Sequence, residues 1–96
     1  MMADFMKDEI AGGKEYAIMA LELQYSRPAL ADLFYKMAQT ELVHFDALHE
    51  HTIKMIEEYQ AKGKKIPEKM MDKWNKKHTE MIICKEEVQT YLNMYK

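Results

Sequence analysis

Ninety-six residues hold one domain (1–96), and a composition of 48% hydrophobic residues with only three glycines and two prolines describes a compact, helix-rich chain. A formal charge of −2, with Lys, Asp and Glu interspersed, supplies no single-signed field to draw it to nucleic acid or an anionic membrane. The opening Met1-Met2-Ala3-Asp4-Phe5-Met6-Lys7-Asp8 carries too much charge for a signal peptide, and no later stretch is apolar for long enough to span a bilayer, so a cytoplasmic location is expected. Cys84 stands alone, which excludes an intrachain disulfide or a Cys-x-x-Cys metal knuckle and leaves packing as a small apolar side chain.

Punctuation and periodicity predict three helices, over roughly residues 4–25, 28–60 and 67–95, and no strand. The first carries Glu9. Counting phase from that residue, Met2, Phe5, Gly12, Gly13, Tyr16, Ala20 and Leu23 share its face, while Glu15 and Glu22 fall opposite with Asp4, Lys7 and Lys14. Gly12 and Gly13 are poor residues for a helix interior; they either let a neighbouring backbone approach closely or loosen the helix start. The break at Ser26-Arg27-Pro28 is so short that the first two helices must fold back as an antiparallel hairpin. Pro28 and Pro67 both suit a first helical position, where the missing N–H costs nothing.

The second helix places Leu30, Leu33, Phe34, Met37, Ala38, Glu41, His44, Phe45, Leu48, His51, Thr52, Met55, Ile56 and Tyr59 on one side. Asp32, Lys36, Gln39, Asp46, Glu50, Lys54 and Glu57 form the solvated side. Glu41 is thus a carboxylate near the centre of an apolar stripe. Stranding it there ionised costs several kcal/mol, roughly, unless it is paired, protonated or bound to a cation. In Glu41-Leu42-Val43-His44 the imidazole lies one turn away on the same face, so both side chains can reach one ion. With the hairpin reversing near Tyr25 or Ser26, Glu9 lies about 25 Å back along the first helix and Glu41 about 23 Å along the second, which makes them level.

Glu9, six intervening residues, Tyr16, a short reversal and Glu41-x-x-His44 resemble the first helical hairpin of ferritin-like di-iron proteins, the group of bacterioferritins, rubrerythrins and encapsulated ferritins. The likeness covers roughly residues 5 to 60. It implies that Glu41 bridges two irons, that Glu9 and His44 are terminal metal ligands, and that Tyr16 stands behind them. A carboxylate and imidazole set suits iron or manganese at least as well as zinc. The resemblance also implies oxidation of Fe(II) by dioxygen or peroxide, as in a ferroxidase or a rubrerythrin-like peroxidase, for iron handling or oxidative-stress protection.

The chain departs from the full pattern in one respect. A complete ferritin-like chain supplies a second Glu and a second Glu-x-x-His, and the third predicted helix has neither, since the polar side chains of His78-Thr79-Glu80 point roughly 200° apart. Encapsulated ferritins complete such a site by pairing two half-bundles across a twofold axis, so the resemblance implies a homodimer or higher even oligomer with a four-helix-bundle-like core. Length points the same way: the second helix spans about 50 Å, against a radius of gyration near 13 Å for a compact domain, so a monomer would leave apolar stripe bare. Cysteine pairs of a rubredoxin-like electron donor are lacking.

The third helix shows a looser stripe of Met70, Trp74, Met81, Cys84, Val88, Tyr91, Leu92 and Tyr95, expected to pack outside the hairpin or complete the dimer. His78 flanks this stripe and reads as a surface residue, though it is the outlying candidate to watch. His51 shares the metal face and reads as a hydrogen-bonded core histidine, whereas His49 falls at the stripe's edge. Ten methionines read as core filler. A competing expectation is a metal-free helical oligomerisation module in which Glu41 and His44 form a buried polar network that fixes register.

Overall fold

A computed structural model describes residues 2–95, in three helices: α1 (Met2–Leu23), α2 (Pro28–Ala61) and α3 (Glu68–Met94). The chain is all-α as expected, with α1 starting two residues earlier and ending two earlier than predicted. Arg27 makes the hairpin. Its N–H donates to the Leu23 carbonyl (2.8 Å) and its own carbonyl accepts from Ala31 (2.9 Å), so one residue closes α1 and opens α2, with Pro28 in the first turn. Gly63, at φ +75°, lets the chain turn off the end of α2, a backbone conformation that side chains disfavour. Pro67 differs from the expected first helical position: it is extended (φ −53°, ψ 136°) and caps α3 from outside, its carbonyl accepting from Met70 and Met71.

Seven-residue spacing governs the packing. Ala31, Ala38, Phe45 and Thr52 are the buried residues of α2, and Trp74, Met81 and Val88 those of α3. On α1 two such rows interleave, Ala3-Ile10-Ala17 and Met6-Gly13-Ala20. This is the seam of helices crossing at shallow angles. The small residues of α1 let both other helices come close, so α1 is the central helix, while α2 and α3 meet each other sparingly. Ion pairs Asp4–Lys77, Lys7–Glu80 and Lys14–Glu87 all join residues the same distance apart in sequence, which fixes α3 parallel to α1 along its length. The third helix therefore packs on the hairpin.

The result is a rod of 56 × 19 × 18 Å with a radius of gyration of 16.1 Å. Its core face on α1 lies to one side of Glu9 and not centred on it, because Met2 and Phe5, expected to share the buried face, are exposed. The α2 stripe is likewise only half covered: Leu30, Leu33, Met55 and Tyr59 stay exposed, and so does His51, which corrects its reading as a core histidine. Met70 of the α3 stripe is exposed as well. Phe45 is the largest wholly buried side chain. Phe45→Ala is expected to cost about 3–5 kcal/mol through lost burial and an unfilled cavity, read by urea unfolding at fixed protein concentration. Among the described residues no helix is long and apolar enough to cross a membrane.

Candidate metal centre

Glu9 on α1 and Glu41 and His44 on α2 come together as the sequence arithmetic requires. Each offers a ligand atom, and the three atoms lie within 4.8 Å of one another. No other group of three His, Cys, Asp or Glu side chains among the described residues does so. The close approach rests on Gly13, where a Cβ would stand 3.2 Å from the Glu41 Cβ. That settles the glycine pair: Gly13 admits the neighbouring helix, whereas a Cβ on Gly12 would meet nothing within 4 Å.

The two glutamates are half-buried and His44 is exposed. Hydrogen bonding of the protonated Glu41 to Glu9 as acceptor, then burial, then the Glu9 charge push the Glu41 carboxyl up from 4.5 to about 7, against a smaller downward pull from His44. Two carboxyls this close share a proton because both cannot ionise cheaply. A proton is the simplest cation for such a site, and a metal ion that replaces it would meet two carboxylate oxygens and one imidazole nitrogen, a donor set that fits iron or manganese. The proposed ligands therefore fit the group that the resemblance implies.

Tyr16 stacks on Phe34 (centroids 6.0 Å apart) and lines a cavity of about 320 Å³ with Glu41, Leu33, Met37, Thr40 and Lys36. It stands beside Glu41. His51 and His78 are not brought to this cluster. His78 instead meets His49, Nε2 to Nε2 at 2.7 Å, a pairing the sequence reading missed. A signal was there: each histidine follows by four residues a buried aromatic of the seven-residue rows, His49 after Phe45 and His78 after Trp74. Cys84 is half-buried with its thiol directed at the Ile10 carbonyl (3.6 Å), and burial pushes its pKa up, so it packs as the inert residue expected.

No protein-family model matches the chain, and neither a curated protein nor a solved structure is significantly similar to it.

Proposed function

We propose that this chain is a ferritin-like metal-binding protein whose di-iron carboxylate site is completed across a homodimer interface, and that it oxidises Fe(II) with dioxygen or peroxide. The observation that carries this reading is the convergence of Glu9, Glu41 and His44, supported by the rise of the Glu41 carboxyl to about 7 beside Glu9. When bound, the metal supplies the redox chemistry. The chain's residues supply position: Glu9 and Glu41 reach from facing helices, His44 adds an imidazole nitrogen one turn on, and Tyr16 with Phe34 covers one flank.

The open side of the site supports the dimer. His44 faces solvent, with Leu30, Leu33, Val43 and Phe5 of the same two helices also exposed. An apolar apron around half a ligand set is what a second copy would cover, bringing its own Glu9, Glu41 and His44. Zinc or manganese holding the dimer without redox change is the nearest relative of this reading.

Anaerobic Fe(II) titration tests it. Saturation near one iron per chain, followed by a ferric absorption band on admitting air, is expected; no uptake overturns it. Iron must displace the Glu41 proton, so apparent affinity is expected to fall about tenfold per pH unit below about 7 and to level off above it, with close to one proton released per site in the acid range.

A metal-free oligomerisation module is the second reading, favoured by the raised Glu41 pKa, since a carboxyl that keeps its proton beside Glu9 needs no metal to neutralise it. The exposure of His44 argues against a buried Glu41–His44 network within one chain. Under this reading, replacing Glu41 and His44 together by apolar residues preserves or raises stability and dimerisation, with no iron uptake in the parent protein.

A further inference from the structure

His49 on α2 and His78 on α3 lie where these two helices otherwise meet sparingly. Their centroids are 4.9 Å apart and their planes within 16°, and the Nε2 atoms are 2.7 Å apart. The centroid separation exceeds the nitrogen gap by about the two ring half-widths, so the rings meet head-on in nearly one plane, the geometry of a straight N–H···N bond. Phe45 stands 5.9 Å from His49 and Trp74 5.2 Å from His78, making a four-ring row across the bundle.

We propose that the His49–His78 pair is a proton-operated latch that holds α3 against α2 near neutral pH and releases it in acid. In the neutral pair one imidazole donates its Nε2–H and the other accepts. A first added proton goes to the donor's Nδ1 and leaves this bond intact. A second must occupy the accepting Nε2, setting two N–H groups and two like charges face to face. The surrounding charges are few: Asp46 on α2 favours a charged His49, Lys85 on α3 opposes it, and these two bind each other at 2.7 Å. From α1, Asp4 and Lys7 are engaged by Lys77 and Glu80. Burial, then His78, hold the His49 imidazole below its usual 6.5, which works in the same direction as the head-on repulsion. Trp74, beyond His78 in the ring row, also walls an apolar groove of about 330 Å³ with Thr52, Met55, Met70 and Met71. Releasing α3 would take that groove apart.

Amide hydrogen exchange across residues 74–85, corrected for intrinsic rate, tests the latch between pH 7.5 and 4. At least about a tenfold loss of protection in α3 is expected on acidification, while the α1–α2 hairpin stays protected. His49→Phe, which keeps a ring in the row but cannot titrate, is expected to abolish the acid loss, and His78→Gln, which can still donate to His49, does the same if the first variant fails to fold. Equal acid loss in wild type and the variants, or no loss in wild type, overturns the proposal. The Glu9–Glu41 pair does not mimic this result, because protonating Glu41 favours the folded state in acid and so acts with the opposite sign.

Discussion

Glu41→Gln is expected to weaken iron binding at least about 100-fold while making the metal-free protein more stable at neutral pH. The shared proton produces both effects. Glu41 titrates near 7 in the folded chain against 4.5 as its ordinary value, so folding binds a proton between those limits. The stabilisation is fully present below pH 4.5, declines as pH rises through about 7, and is lost above it, where the folded state must hold two adjacent carboxylates. Glutamine stays neutral and can donate its amide N–H to Glu9 at every pH. The variant should therefore lose the decline in stability between pH 4.5 and 7 and gain about 1 kcal/mol at pH 7.5, a figure that allows for solvent screening at a half-buried pair.

The metal side of the same substitution is larger. An amide oxygen is a weak, neutral ligand, and affinity for Fe(II) should fall at least about 100-fold, beyond the 10–100-fold typical of residues that only support a ligand. His44→Ala separates binding from folding: this exposed side chain should cost less than about 0.5 kcal/mol on removal yet still impair iron uptake. Thermal melts of metal-free protein against pH, paired with anaerobic titrations, give both readouts. A Glu41→Gln protein that binds iron like wild type would remove Glu41 from the site.

Much of this arrangement was legible because it depends on rotation and rise along two helices joined by a short turn. Proline and glycine mark the breaks, the apolar period turns Glu41 inward, and similar distances from the reversal near Tyr25 and Ser26 bring it level with Glu9. Burial was less legible. The α2 stripe is wide enough for two neighbours, and periodicity alone does not say that α1 and α3 share the Ala38-Phe45-Thr52 half and leave the Leu30-Leu33 half bare. Nor does it show that the small residues of α1 draw α3 onto it in parallel, which is what brings His78 to His49. Pairings between helices whose partners are set by a third element are not written in either helix's own period.

Gly13→Val is expected to damage fold and site together, and Gly12→Ala to do neither. Both glycines lie in the interior of α1, where alanine ordinarily gains about 1 kcal/mol over glycine. Nothing within 4 Å would oppose a methyl at position 12, so Gly12→Ala should raise stability by about 0.5–1 kcal/mol. At position 13 even one carbon would stand 3.2 Å from the Glu41 Cβ, close to the α2 backbone, with the Ala38 carbonyl oxygen at 3.9 Å. A Cβ near its own backbone cannot swing aside as a long side chain would. Relief requires the two helices to part, and valine's two γ-carbons deepen the clash to about 2–3 kcal/mol of overpacking. Separating α1 from α2 at this level also draws Glu9 away from Glu41, so the Glu41 pKa should fall back toward 4.5 and iron affinity should drop with it. Carboxyl carbon shifts followed by NMR across pH 4–8 report the pKa, and urea unfolding reports the stability. A Gly13→Val protein with wild-type stability and an unshifted Glu41 titration would show that the helices do not need this contact to hold the two carboxyls together.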